Sequence, residues 1–98
     1  PFNENRHPRT CACVTNDKKV LLLTADGRSN QAFGLSLPEL TALLQALGCR
    51  DAVNLDGGGS TTMWIKGMPG NGVVNMPSDN KKFDHFGERK VANAVLVF

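Results

Sequence analysis

The chain opens with a polar stretch and then gathers its apolar residues in two short runs, at residues 11–15 and 19–25. Both runs are rich in residues that favour strands, and the segment Asn16-Asp17-Lys18 between them has the composition of a tight turn. Two strand-like runs joined by turn residues predict a β-hairpin. Residues 26–30 then form a loop that closes the second strand.

The next segment carries helical signals at both ends. Ser36 and Glu39 have the spacing of a capping box, and Pro38 falls in the first turn, where its missing N–H does little harm. Gly48 occupies the position of a C-terminal cap glycine. Between these ends, leucines recur at helical spacing and form one apolar face: Leu37, Leu40, Leu43, Leu44 and Leu47. We expect this whole face to be core.

Beyond the helix the pattern is shorter and less regular. Strand-like runs are predicted at residues 52–55, 61–65, 73–74 and 91–98. Residues 76–90 are polar and mostly irregular, and loops of that length are more often functional or disordered than idle connectors. The order of elements predicts an α+β fold with a mixed, mainly antiparallel sheet and one principal helix.

Composition narrows the class of protein. The 98 residues are 41% hydrophobic, which suits one small unit and leaves no room for two ordinary domains. The net charge is +2, the basic residues are scattered, and aromatic residues make up only 6%, so a nucleic-acid groove is not expected. The longest apolar stretches, residues 20–23 and 94–98, fall far short of the roughly 20 residues that a membrane-spanning helix needs.

The three cysteines leave two possibilities open. Cys11 and Cys13 lie two residues apart on a predicted strand, so they point to the same face and do not suit a bond to each other. Cys49 can pair with either of them in an oxidising compartment, or all three are buried free thiols that act as small hydrophobic residues. With no Cys-x-x-Cys pair and two dispersed histidines, a structural zinc site is not expected.

Three consecutive glycines at residues 57–59, directly after a predicted strand, form the first candidate site. Glycine loses much conformational freedom on folding, so three together are costly unless the backbone takes unusual angles or lies against a ligand. Successive N–H groups of such a run can bind an anion. Asp56 adds a carboxylate before the glycines, and Ser60 and Thr61 add hydroxyls after them. The alternative is a plain hairpin turn.

Arginines beside predicted strand ends are candidate phosphate ligands. A guanidinium matches phosphate oxygens two at a time, which suits Arg9, Arg28 and Arg89. Each alone is more often a surface ion-pair partner, and the sequence does not show whether the three converge.

Carboxylates in the same loops are candidates for catalysis, since hydrolysis at an anomeric carbon commonly uses two carboxylates with distinct roles. Asp56 is the first candidate because the glycines open space beside it. Asp26 is the second, with a structural turn at Gly27 as its alternative. His7 and His85 can transfer protons, although a histidine in a loop is more often merely exposed.

Two motifs are the most specific in the chain: NLDGGGS at residues 54–60 and R-x-V-A-N-A at residues 89–94. They resemble the phosphodiester glycosidase family, whose bacterial members are often labelled exopolysaccharide-related. The shorter matches HPRT, DGR, LSLPEL and MPSD begin at residues 7, 26, 35 and 76, and the set covers nearly the whole chain. The cysteines at positions 11 and 13, where the family usually has small or apolar residues, and the long loop at residues 68–72 depart from the family pattern.

The resemblance implies that the chain is the C-terminal portion, residues 1–98, of a larger domain whose upstream half supplies further strands and active-site residues. It implies hydrolysis of a sugar-1-phosphate diester in a secreted or cell-envelope protein. No cofactor is expected and no residue is assigned to a metal, although the sequence leaves open whether a metal helps. Asp56 then has an acid–base or substrate-orienting role, with Asp26 as the second catalytic candidate. The residues assigned to phosphate or sugar binding are Arg9, Arg28, Asn54, Gly57, Gly58, Gly59, Ser60, Thr61, Arg89 and Asn93.

Two rival interpretations stay open. A non-catalytic carbohydrate- or cell-envelope-binding module would keep the fold and the polar loops without turnover, although such a module has no need to keep both the acid and the arginines. In the other, the glycines only make a turn in a structural segment. As a separate piece, the chain would expose sheet edges and the apolar face of its helix.

Overall fold

The computed structural model describes residues 5–91 and 93–97 and contains a small antiparallel sheet covered by one helix. Its elements in chain order are β1 (Arg9–Thr15), β2 (Val20–Ala25), α1 (Leu37–Ala46) and β3 (Cys49–Asn54), followed by a 3-10 turn at Gly58–Ser60. The strand order is β2-β1-β3, and both pairings are antiparallel. The predicted α+β fold with one principal helix is confirmed.

The predicted hairpin is present, and its turn shows why. Lys18 takes a left-handed φ of 66°, and the Thr15 hydroxyl accepts a hydrogen bond from Lys19 N at 2.9 Å. The Thr15 N–H donates to Lys19 O at 2.8 Å, which closes the turn. From there β1 and β2 pair in regular register as far as Arg9 and Ala25.

The helix begins and ends where its sequence signals place it. The Ser36 side chain accepts from Glu39 N, and the Glu39 carboxylate accepts from Ser36 N at 2.9 Å, so both halves of the capping box form. Gly48 has a φ of +83°, a left-handed conformation that favours glycine at the end of a helix. These local contacts fix where the chain leaves the helix and enters β3.

The core lies between α1 and one face of the sheet. Cys11, Leu40 and Leu44 are buried together, and partly buried side chains surround them: Leu23, Leu35, Leu37 and Cys49. The leucine prediction is only partly correct. Leu43 and Leu47 are 37% and 45% exposed, because the sheet covers a narrower stripe of the helix than five leucines occupy.

A disulfide decides between the two possibilities for the cysteines, a bond to Cys49 or three free thiols. Cys13 and Cys49 are bonded across the β1–β3 pair, with their Cα atoms 5.8 Å apart, while Cys11 is a buried free thiol. Burial raises the pKa of the Cys11 thiol, since an apolar environment disfavours the thiolate. The bond ties the strand after the helix to the central strand of the sheet.

The predicted strands outside this unit are wrong for the described residues. Residues 61–65 and 73–74 contribute only an isolated bridge between Trp64 and Val73. Ile65 N and Val74 N donate to backbone carbonyls, and side chains accept from Met63 N and Val73 N. Residues 91 and 93–97 are exposed and form neither helix nor strand, while residues 92 and 98 lie outside the described part. Strand-like composition alone does not make a strand without a neighbour to pair with.

Candidate functional site

The glycine turn is held against the start of β1. After β3, Leu55 N donates to Thr10 O at 2.8 Å and Gly58 N donates to Pro8 O at 2.9 Å. A Cβ on Gly57 would lie 2.7 Å from Pro8 O, so a larger residue does not fit there without a shift of the backbone. Gly58 has a φ of +59°, which also favours glycine. Close backbone approach therefore accounts for the first two glycines.

Arg28 lies over the middle glycine of this turn. A Cβ on Gly58 would stand 3.0 Å from Arg28 Nη2 and 3.3 Å from Nη1, so the guanidinium lies directly against the turn. The same Nη2 is 3.2 Å from His7 Nδ1. Because an arginine can only donate, His7 Nδ1 is the acceptor, and the neutral ring carries its proton on Nε2. Partial burial, and then the charge of Arg28, lower the pKa of His7, which favours this neutral form.

Arg89 lies over Gly59, the third glycine of the turn. Its Nε and Nη2 donate to Asp79 Oδ1 at 3.1 and 2.9 Å, and its Nη1 donates to Ser60 Oγ at 3.3 Å. A Cβ on Gly59 would overlap Arg89 Nη2 and stand 2.9 Å from Asp79 Oδ1. The hydrogen bonds to Asp79 chiefly raise the pKa of Arg89, with a smaller contribution from Asp56. Asp79 thus fixes one edge of the guanidinium.

The fold therefore brings together two of the three predicted arginines. Arg28 and Arg89, from distant parts of the sequence, lie against adjacent glycines, and both are exposed. Two exposed guanidiniums on a backbone turn, with the carboxylates of Asp79 and Asp56 near Arg89, present donors of the kind that bind phosphate oxygens. The expected run of three free N–H groups does not exist, because Gly58 N–H already donates to Pro8 O.

Arg9 is a different case from the other two arginines. It is 0% exposed, and its guanidinium donates to Leu35 O at 2.8 Å and Asn5 O at 3.0 Å. Burial lowers the pKa of Arg9, since desolvation disfavours the charge. Burial of Arg9 and its two hydrogen bonds to backbone carbonyls do not favour the direct phosphate contact predicted from the sequence.

The two predicted catalytic carboxylates have unlike surroundings. Asp56 is exposed at the start of the glycine turn and close enough to Arg89 to raise its pKa. Asp26 is half-buried, and its Oδ1 accepts two hydrogen bonds, from Asn75 Nδ2 at 3.1 Å and from Met76 N at 2.9 Å. Of these two carboxylates, Asp56 is exposed near Arg89, whereas Asp26 joins the end of β2 to a distant loop.

The remaining residues predicted to bind phosphate or sugar also differ in their exposure. Ser60 is half-buried and its hydroxyl accepts from Arg89. Thr61 is 0% exposed, and its hydroxyl has no hydrogen-bond partner among the described residues, so it does not face solvent. Asn54 is exposed at the end of β3. Asn93 is exposed in an irregular stretch and takes no part in the hydrogen bonds around the turn.

The structure describes no obvious metal site and no membrane span. Among residues 5–91 and 93–97, no group of three or more His, Cys, Asp or Glu side chains is arranged to hold a metal ion. Over the same residues, no helix has the length and apolar character needed to cross a membrane.

Comparison with known protein families shows the family of the chain. The family model for phosphodiester glycosidase matches residues 2–98, which is almost the entire chain. The chain belongs to the phosphodiester glycosidase family. Membership confirms the resemblance of the sequence motifs and supports a hydrolase-type function in general terms.

Relatives of this family member occur in mouse and in Bacillus subtilis. It is 35% identical over 90 residues to mouse N-acetylglucosamine-1-phosphodiester alpha-N-acetylglucosaminidase, covering 91% of this chain and 16% of the mouse protein. It is 34% identical over 62 residues to the SPbeta prophage-derived uncharacterized protein YomE of Bacillus subtilis strain 168, covering 63% of this chain and 10% of YomE. The chain thus spans less than a fifth of either relative.

A solved structure resembles this family member closely in fold. The crystal structure of a "Putative exported protein" from Burkholderia pseudomallei K96243 is 41% identical, with a TM-score of 0.69. The match covers 82% of this chain and 15% of that protein. The same small unit therefore occurs inside a much longer chain.

Two site residues of this family member have no local signal in the sequence. Asn75 is 6% exposed and its side chain joins Asp26 to the segment that contains Thr61 and Met63. Asp79 orients Arg89. Both lie in the long irregular stretch or beside it, where periodicity gives no information. The MPSD motif at residues 76–79 marks the right segment, but the partners only become visible once the chain is folded.

Proposed function

We propose that the whole protein hydrolyses a sugar-1-phosphate diester and that this chain supplies the phosphate side of the pocket. The observation that carries the proposal is the pair of exposed guanidiniums, Arg28 and Arg89, set against Gly58 and Gly59. The name of the mouse relative, an N-acetylglucosamine-1-phosphodiester alpha-N-acetylglucosaminidase, supports this substrate class.

The charge change during the reaction suits two guanidiniums. A phosphodiester carries one negative charge, and cleavage of the bond between the anomeric carbon and oxygen leaves a phosphomonoester with close to two. Groups aimed at charge that develops in the transition state lower the barrier more than groups that bind substrate and transition state equally. Arg89 is already oriented by Asp79 and Arg28 by His7, so little reorganisation is needed when the substrate binds.

Asp56 is the carboxylate we assign to the reacting centre. It is exposed at the turn and near Arg89, whereas the Oδ1 of Asp26 accepts hydrogen bonds from the protein itself. A second carboxylate, needed for a two-carboxylate mechanism, then comes from the upstream part of the domain. We infer that residues 1–98 are the C-terminal portion of that domain and that the upstream half is its partner.

Two observations support an extracytoplasmic setting for this protein. The Cys13–Cys49 disulfide suits an oxidising compartment. The Burkholderia relative is named as an exported protein. We propose a secreted or cell-envelope location, with a saccharide phosphodiester of the exopolysaccharide kind as one substrate class, and no role for nucleic acid.

The test uses the intact protein with the methyl diester of N-acetylglucosamine 1-phosphate and measures release of the sugar. Arg28→Gln and Arg89→Gln are each expected to lower kcat/KM by about 10²-fold, the usual effect of removing one donor to a developing oxyanion. Arg50→Gln is the matched control, because Arg50 lies on β3 in an exposed pair with its neighbour Asp51.

Three outcomes separate the hypotheses. Hydrolysis that depends on Arg28 and Arg89 but not on Arg50 supports the proposal. Calorimetric binding of the diester without hydrolysis favours the carbohydrate-binding module and overturns the enzyme. Equal activity in all three variants removes the arginines from the mechanism.

A further inference from the structure

Asn75 is a buried carboxamide that joins three parts of the chain. Its Nδ2 donates to Asp26 Oδ1 at 3.1 Å and to Thr61 O at 2.8 Å, and its Oδ1 accepts from Met63 N at 2.8 Å. Its side chain therefore uses two donors and one acceptor at once. A residue with only one kind of polar group does not satisfy the same partners.

Each segment that meets at Asn75 leads directly to a residue of the candidate site. Asp26 comes two residues before Arg28, whose guanidinium covers Gly58. Thr61 follows the glycine turn, and its N–H donates to Gly58 O at 3.2 Å. Met76, whose N–H also donates to Asp26 Oδ1, leads through Pro77 to Asp79.

We expect the effect of losing this junction to be local, because regular strand pairing contributes little to it. The segments involved have no regular strand pairing beyond the Trp64–Val73 bridge, and Asn75 is 6% exposed. Removing the carboxamide leaves its buried hydrogen-bond partners unsatisfied, and each of them then carries its full desolvation penalty. We therefore expect the segments to move apart. A displacement of about 1 Å in a supporting residue can lower the rate of a reaction about 10²-fold.

We propose that Asn75 and Asp26 are positioning residues that align Arg28, the glycine turn and the Asp79–Arg89 pair, and that Asp26 is not a catalytic carboxylate. The kinetic part of this proposal rests on the proposed function, while its structural part does not. Asp26 accepts two hydrogen bonds on Oδ1, from Asn75 and from Met76 N. Asn75 links that carboxylate to Thr61, the residue that follows the glycine turn.

A reciprocal exchange of the two side chains provides the decisive test. Asn75→Asp places two carboxylates about 3 Å apart, where like charges repel, and Asp26→Asn places two carboxamides there. The double variant Asp26→Asn/Asn75→Asp restores one donor and one acceptor across the contact, although Thr61 O loses its donor. Asn16→Asp is the control: the same substitution in the exposed turn at the far end of β1.

The measurements are kcat/KM on the methyl diester and the amide ¹H–¹⁵N shifts of Gly58, Gly59 and Arg28 in the intact protein without substrate. We expect each single variant to lose about 10²-fold in kcat/KM, with moved shifts at these three residues. The double variant should regain at least about tenfold over Asp26→Asn, with shifts closer to the wild type. Asn16→Asp should leave both measurements unchanged.

The outcomes distinguish positioning from chemistry. If Asp26 takes part in catalysis directly, the exchanged pair stays as inactive as Asp26→Asn, and the proposal is overturned. If the single variants lose thermal stability while the Gly58, Gly59 and Arg28 shifts stay at their wild-type positions, Asn75 is only structural, which also overturns it. If the wild type hydrolyses no diester, the proposed function fails, and the amide shifts alone still decide whether the junction aligns the turn.

Discussion

Residues 9–54 and the loop half of the molecule, residues 55–91 and 93–97, are held together by different forces. In the first half, backbone ladders join three strands, and Cys11, Leu40 and Leu44 form an apolar core under the helix. In the second half the buried residues are mostly glycine, proline or polar, and side chains such as Asn75 satisfy the backbone. The first half is a scaffold, and the second depends on individual contacts.

This difference explains where the candidate site lies. Arg28, the glycine turn and Arg89 all belong to loops, but Pro8 O and Thr10 O at the start of β1 anchor the turn. Loops that carry function are commonly held by a rigid scaffold, because precise placement needs a fixed reference. Disturbing the scaffold should therefore affect the whole chain, whereas disturbing a loop contact should affect the site alone.

Removing the disulfide is the most severe way to test the scaffold. Cys13 and Cys49 are 36 positions apart, and a cross-link over a loop of that length stabilises the fold by about 4 kcal/mol in the chain-entropy account. We expect Cys13→Ala/Cys49→Ala to lower the free energy of unfolding by an amount of this order in urea denaturation. An unchanged midpoint would mean that the scaffold does not depend on the bond.

The same contrast decides what could be predicted from the sequence. The hairpin, the helix and the glycine turn were predicted because their signals are local: turn residues, a capping box and consecutive glycines. The Asn75–Asp26 and Arg89–Asp79 contacts were not predicted, since neither has a periodic pattern and the first spans 49 positions. The strands expected at residues 61–65 and 91–98 fail for the described residues because composition does not supply a pairing neighbour. Exposure of Leu43 and Leu47 likewise depends on how much of the helix the sheet covers.

Two glycines with the same φ allow the energetic cost of a steric clash to be separated from the cost of a left-handed backbone. Gly34 and Gly48 both have a φ of +83°, but a Cβ on Gly34 would lie 2.6 Å from the His7 backbone, and one on Gly48 would meet nothing within 4 Å. Gly48→Ala should cost roughly 1 kcal/mol, the usual penalty of a left-handed alanine. Gly34→Ala should cost roughly 3 kcal/mol, because the His7–Leu35 bridge must also move.

Thermal denaturation of the two alanine variants provides the comparison. Gly34→Ala should also weaken binding of inorganic phosphate, since His7 contacts Arg28, while Gly48→Ala should leave binding unchanged. Equal losses of stability in both variants would show that the contact between residue 34 and the His7 backbone adds nothing to the strain.

The pH dependence of His7 gives the smallest expected effect and arises at its contact with Arg28. Its pKa is lowered, first by burial and then by Arg28, so the unfolded chain binds a proton before the folded protein does as the pH falls. Stability from this residue is therefore present above about pH 6.5 and is lost as the pH falls through the lowered pKa. Protonation of Nδ1 also removes the acceptor for Arg28 and places two cations side by side.

His7→Asn keeps an acceptor in reach of Arg28 without a group that titrates in this range. The difference in melting temperature between wild type and His7→Asn, followed from pH 8 downward, should therefore change below about pH 6.5, with the wild type losing relative stability. Affinity for inorganic phosphate, measured over the same pH range, shows how protonation of His7 affects the site. If His7 holds Arg28 in place, the phosphate affinity of the wild type should change as His7 becomes protonated, whereas that of His7→Asn should not. Parallel curves for the two proteins would mean that Arg28 keeps its position over Gly58 without help from the histidine.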